Sequence, residues 1–236
     1  MDDSERIARE YLRSLNLGKI VYEPDGNVPP DFVVDGRIAV EVRRLNQQKD
    51  LPSGDIEALD NLAIPFTKRI ERYLSQLGPS LDGESWFVYV TFSRPLEPWR
   101  ELQPLLEAAL LSFMRTSERK RQSISVTPHL ELEMMMRASK PHSSFYLLGG
   151  YEDEDSGGFT LAETTKGLAV CIPEKQRKIA PFKGRYPEWW LVLVNHIGLR
   201  LNTDDRYRLR EWPPLSHDWE KVILVNPLDP TDGFEI

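Results

Sequence analysis

The stretch Tyr22–Asn46, YEPDGNVPPDFVVDGRIAVEVRRLN, decides how the rest of the chain is read. Phe32–Val34 and Ile38–Val42 are β-branched and aromatic runs, and Asp35-Gly36 between them is a strong hairpin turn signal. A two-residue loop would pair Val34 with Arg37 and Asp31 with Val40, mixing charged and apolar residues on each face, a register that burial disfavours. Counting Arg37 into the turn instead pairs Val34 with Ile38, Phe32 with Val40 and Asp31 with Glu41. The faces then separate. Phe32, Val34, Ile38, Val40 and Val42 share one; Asp31, Val33, Ala39, Glu41 and Arg43 share the other.

That register brings two acids together. Residues opposite each other on antiparallel strands have Cβ atoms roughly 4.5 to 5.5 Å apart, close enough for the carboxylates of Asp31 and Glu41 to converge on one ion. Hard oxygen ligands suit Mg²⁺ or Mn²⁺, and magnesium is commonly held by one or two carboxylates with water and substrate phosphate completing its shell. Arg43 follows two residues after Glu41, about 6.6 Å along the strand, within reach of a phosphate oxygen. Glu41 also interrupts the run IAVEV where an unpaired charge would be penalised by burial.

Pro30-Asp31, a spacer, and then Glu41-Val42-Arg43 resembles the PD-(D/E)xK nuclease superfamily, with arginine where the motif has lysine. The resemblance implies that Asp31 and Glu41 bind a divalent metal, and that a basic residue helps position or activate the attacking water. It implies a restriction endonuclease-like core of helix, three strands, helix and strand over about residues 1–92. Metal-dependent phosphodiester hydrolysis on nucleic acid is the expected activity, DNA or RNA being left open. Arg43 matches the motif only in charge. Guanidinium stays protonated, so Arg43 is expected to stabilise transition-state charge and not to act as a base. Accessory candidates are Glu10 on the first helix, Glu23 at the end of the first strand, and Lys175 or Lys178 as a replacement lysine from another element. The competing expectation is a catalytically inactive binding or regulatory protein on the same fold, with Glu41 and Arg43 paired to each other.

Outward from the hairpin, a capped helix is expected from Asp3 or Ser4 to Leu17, burying Ile7, Ala8, Tyr11, Leu12 and Leu15. A strand follows over Lys19–Glu23. Asn46–Gly54 is polar, placed where substrate could pass. Helical spacing recurs from Asp55 to Leu77 through Pro65, and Trp86–Phe92 reads as a strand buried on both faces. A third helix is expected over Pro98–Arg119, ending in a basic cluster, Arg115, Arg119, Lys120 and Arg121. His129–Met136 alternates like a half-buried strand, Ser144–Leu148 is another, and the acidic YEDEDSGG after it is read as a solvated loop. Pro173 opens a short helix, Trp189–Val194 and Glu220–Val225 are strands, and the chain from Asn226 onward is a terminal loop.

Composition narrows the class. With 236 residues, 40% of them hydrophobic, the chain can bury a sizeable core, and a single domain over 1–236 is expected, residues 93–236 extending the same mixed α/β sheet flanked by helices. A single cysteine, Cys171, leaves no disulfide and no thiolate cluster, as in a reducing compartment, and it sits in the apolar LAVCI where a buried thiol is expected. No apolar run approaches a membrane span, and the charged start MDDSERIARE lacks a signal-peptide core, so a cytoplasmic protein without a membrane partner is expected. The net charge of -7 disfavours a nonspecific nucleic-acid coat protein, while a metal site needs acids. The four histidines lack zinc-hydrolase spacing, and neither a phosphate-cradling glycine loop nor a GxSxG elbow is present.

Overall fold

A computed structural model describes residues 1–50, 56–197, 201–211 and 216–236. In chain order the elements are α1 (Asp3–Ser14), β1 (Ile20–Tyr22), β2 (Phe32–Val34), β3 (Ile38–Leu45), β4 (Gln48–Asp50), β5 (Ile56–Ala58), α2 (Asp60–Gln76), β6 (Trp86–Phe92), α3 (Trp99–Arg115), β7 (Gln122–Thr127), β8 (Leu130–Arg137), β9 (Tyr146–Asp153), α4 (Thr160–Ile179), a 3₁₀ turn (Ala180–Arg185), β10 (Glu188–Asn195), α5 (Thr203–Glu211), β11 (Lys221–Asn226) and β12 (Asp229–Glu235). The class is α/β, with a mixed sheet flanked by helices. Residues 51–54 of the expected polar passage and the expected helix start at Asp55 lie outside the described residues.

The chain divides into two compact units, Met1–Ala58 with Gly157–Ile236, and Leu59–Ser156. The first is built on a six-stranded sheet in the order β1-β2-β3-β10-β11-β12. The β2–β3 register pairs Phe32 with Val40, Val33 with Ala39 and Val34 with Ile38, so the turn holds Asp35, Gly36 and Arg37 as the face-separation argument requires. Arg37 N–H closes it on the Val34 carbonyl at 3.1 Å, and Asp35 and Gly36 both take positive φ, 49° and 69°. β3 then pairs in parallel with β10, and β10 in parallel with β11.

Alternation along the strands gives this sheet two apolar faces, each covered by helix. Ile38, Val40 and Val42 of β3 pack with Trp190, Val192 and Val194 of β10 under Ile7, Ala8, Tyr11 and Leu12 of α1. Ala39 and Leu45 pack on the other side with Leu191 and Leu193, under Leu168, Cys171, Ile172 and Ile179 of α4. α1 begins at a capping box on Asp2 and Glu5, which satisfies donors the first turn leaves open.

The second unit has its own sheet, ordered β7-β8-β6-β9, and its own core. Ala63, Phe66, Ile70 and Leu74 of α2 and Leu102, Leu106, Leu110 and Phe113 of α3 pack on Val88, Val90 and Phe92. β6 is buried on that side only, Phe87, Tyr89 and Thr91 being half-buried on the other, which corrects the expectation of a strand covered on both faces.

The expected helix–three strands–helix–strand core over residues 1–92 is therefore distributed differently. α2 and β6 belong to the second unit, whereas β10, β11 and β12 of the stretch 93–236 join the hairpin's sheet. Three local readings also change. Pro173 lies inside α4 on its exposed side, so one helix runs from Thr160 to Ile179. The terminal loop contains β12, an edge strand. The acidic stretch is not merely solvated, because Asp153 and Asp155 clamp the buried Arg94 at 2.7 and 3.1 Å.

Candidate functional site

Asp31 stands one residue before β2, and Glu41 lies in the middle of β3 on the α4 face of the sheet. The Asp31 carboxylate accepts a hydrogen bond from Val42 N–H at 2.7 Å, which fixes it against the strand that carries Glu41. Glu41 is fully buried, 0% exposed. α4 supplies its countercharge. Lys175 falls in the helix's buried stripe with Leu168, Cys171, Ile172 and Ile179, and its Nζ donates to Glu41 Oε2 at 2.7 Å. Lys178, nearly one turn later, donates to the same oxygen at 3.2 Å and keeps its side chain 48% exposed.

The other Glu41 oxygen, Oε1, is buried without a hydrogen-bond partner. An unpartnered buried carboxylate oxygen is expensive unless something occupies it. Burial, and then the nearby Glu41 charge, push the Asp31 carboxyl up to about 6, against the Val42 N–H, Lys175 and Lys178, which act to lower it. Burial acts to lower the Lys178 pKa, but Glu41 overrides it and holds the ammonium above its ordinary value. Asp31 and Glu41 thus stand as two carboxylates that repel each other, one with an unpartnered buried oxygen. Hard oxygen donors of this kind suit Mg²⁺ or Mn²⁺.

Arg43 lies on the Glu41 face, two residues on, but its guanidinium turns to α4. It pairs with Glu174 at 3.3 Å and interacts with the buried Cys171 thiol, whose pKa burial raises. Pairing of Glu41 with Arg43, the geometry expected for the inactive alternative, is replaced by pairing of Glu41 with Lys175 and Lys178. The other two accessory acids stand apart. Glu10 is exposed and pairs with Arg6 at 3.4 Å, and Glu23 is exposed with its carboxylate on the Tyr22 hydroxyl. Among the described residues no group of three or more His, Cys, Asp or Glu side chains converges to hold a metal ion. Elsewhere, Arg119 of the expected basic cluster is 8% exposed and spent on Glu84, Asp82 and the Met114 carbonyl.

One sequence signal for Lys175 was available. Read as a single helix, 160–179 places this lysine among apolar positions at helical period, and a buried cation requires a buried anion. Glu41 is the reciprocal case on β3.

Comparison of the chain with protein-family models, with curated protein sequences and with solved structures finds no match.

Proposed function

We propose that the chain is a divalent-metal-dependent nuclease that hydrolyses phosphodiester bonds, on a restriction endonuclease-like core formed by the first unit. The observation that carries this reading is the Glu41 site: a fully buried carboxylate with one oxygen held by Lys175 and Lys178, the other unpartnered, and Asp31 beside it. Topology supports it. The order helix, three strands, helix, strand is met by α1, β1, β2, β3, α4 and β10 when the separate β4–β5 hairpin and Leu59–Ser156 are passed over, with the last strand parallel to the acidic one.

In this reading Asp31 and Glu41 hold Mg²⁺ or Mn²⁺. The ion, when bound, polarises the scissile phosphate and lowers the pKa of a coordinated water. Lys175 fixes the Glu41 carboxylate, while the more exposed Lys178 reaches toward solvent and stabilises negative charge on the phosphate. These two lysines take the part of the lysine the motif carries at position 43. Arg43, engaged with Glu174, orients α4 against β3. The test is cleavage of duplex and single-stranded DNA and RNA with Mg²⁺ or Mn²⁺. Activity in wild type that is lost in Asp31→Ala and Glu41→Gln is expected, and absence of divalent-dependent cleavage on all four substrates would overturn the proposal.

A second reading has its own support. Two ammonium groups on one Glu41 oxygen already neutralise the buried charge, as in a structural ion cluster of a binding protein. That reading requires stability, and not metal response, to depend on the lysines.

A further inference from the structure

α1 carries three arginines on its polar side, and they are treated differently. Arg6 pairs with Asp3 and Glu10 at 3.6 and 3.4 Å. Arg9 and Arg13, four residues apart and so on one face, make no ion pair or hydrogen bond among the described residues. Acids outnumber bases in this chain, 37 to 30, so two unpaired neighbouring guanidinium groups are not a consequence of an acid shortage. Like charges at this spacing destabilise a helix. Arg13 is in the last turn, where the helix dipole favours a cation, but Arg9 has no such compensation. Moreover, Arg9 Nε is buried with no acceptor, an unsatisfied donor on a charged group.

Both arginines line one cleft of about 270 Å³, whose remaining walls are Gly18, Ile20 and Tyr22. A water takes roughly 30 Å³ of liquid volume, so the space admits a polyatomic anion with part of its hydration. Gly18 has a φ of +124° and no side chain to narrow the opening. Tyr22 contributes its ring, its hydroxyl being spent on Glu5 at 3.0 Å. Asp35 packs against Gly18, and Glu5 and Glu23 lie near the Tyr22 hydroxyl, but none of them pairs with Arg9 or Arg13 among the described residues.

We propose that the Arg9–Arg13 cleft between α1 and β1 is a binding site for a phosphate group. Two guanidinium groups one helical turn apart on the wall of one cleft offer the forked donors that phosphate oxygens accept. α1 covers the sheet face opposite α4, so this site is separate from Asp31 and Glu41 and needs no metal.

The experiment is titration of the intact chain with inorganic phosphate and pyrophosphate in EDTA at constant ionic strength, followed by calorimetry and thermal melting, with chloride as control. Wild type and Asp31→Ala are expected to bind alike. Arg13→Gln, at an exposed position, is expected to weaken binding about tenfold or more. Arg9→Gln should do the same while Arg9→Lys retains part of it, and melting without phosphate shows that each variant is folded. Competition by a short single-stranded oligonucleotide identifies a nucleic-acid backbone as the source of the phosphate, and competition by a mononucleotide alone identifies a small phosphorylated ligand; either supports the site. No phosphate-specific binding at millimolar concentration, or equal binding by wild type and Arg13→Gln, would overturn it. Failure here leaves the nuclease reading standing, and loss of metal-dependent cleavage in Asp31→Ala does not touch this one.

Discussion

At the residue scale, the Glu41 cluster makes predictions that differ for its members. Lys175 is buried against a fully buried carboxylate, so Lys175→Met leaves Glu41 short of countercharge and should cost about 3 to 5 kcal/mol in urea denaturation. Lys178 shares the same oxygen but is half exposed, and Lys178→Met should cost about 1 kcal/mol or less. Arg43→Ala falls in the same mild range, about 0.2 to 1 kcal/mol, since its Glu174 partner is itself solvent-accessible and Glu41 keeps both lysines. Asp31 sets a pH dependence. Its pKa rises from 3.8 to about 6 on folding, so the folded state binds the proton more tightly between those values. Its contribution to stability is complete below the lower value and is lost as pH rises through about 6. Asp31→Asn should flatten stability between pH 4 and 6, measured by denaturation at each pH; an unchanged slope would mean Asp31 is not the titrating group. On the proposed metal site the proton competes with the ion. Mn²⁺ should therefore raise the melting temperature of wild type more at pH 7 than at pH 5, and should not do so in Asp31→Ala or Glu41→Gln.

At the element scale, β12 closes the first sheet on β11, and its Gly233 is a contact point with α1. A Cβ at Gly233 would stand 2.0 Å from the Tyr11 ring, so Gly233→Ala must displace the tyrosine or the strand, at about 1 to 3 kcal/mol. In a Tyr11→Leu background the same substitution should cost less; equal costs in the two backgrounds, by denaturant melts, would show that the ring is not what the methyl group meets. This strand also shows where sequence reasoning stops. DPTDGFE carries a proline and a glycine, which read as loop, yet both are tolerated on an edge strand whose outer side needs no ladder partner. β7, QSISVT, is also at an edge but has neither proline nor glycine; its polar composition leaves little hydrophobic pattern to read. The β2–β3 register was legible because one face is buried, and a slip by one residue would reverse every side chain. Lys175 and Lys178 are legible as candidates but not as partners of Glu41, because a helix opened at Pro173 loses the upstream turns, whereas Pro173 sits within α4 on its exposed side. Once α4 runs unbroken from Thr160, the spacing from Leu168 through Cys171 to Lys175 places the ammonium over β3.

At the scale of the whole molecule, the chain order is that of one unit interrupted by another, since Leu59–Ser156 lies between β5 and α4 while the sheet of the first unit continues at β10. Local hydrophobic patterning along 1–92 cannot reveal this, because α2 and β6 are amphipathic and well formed in their own right; what assigns them elsewhere is the partner of each apolar face. The ends of the interruption are both held by neighbouring residues. Gln48 pairs with Ala58 in the β4–β5 ladder, and the Gln47 side chain accepts from Gly157 N–H at 2.7 Å and donates to its carbonyl at 3.1 Å. Chain leaving at Ala58 and returning at Gly157 is thus anchored at adjacent positions, so a short glycine-serine bridge can join them without reordering the first sheet. The second unit is a continuous segment with its own aromatic core, including Phe66 against Phe92 and Trp86 against Phe113 in edge contacts. Expressed alone, residues 59–156 should fold, giving near-ultraviolet circular dichroism from those rings and a cooperative melt. The bridged chain lacking them should retain the Asp31–Glu41–Lys175 cluster, and with it the pH dependence assigned to Asp31. A fragment 59–156 without fixed tertiary signal would mean that the two cores are not independently stable and that the unit is not a true insertion.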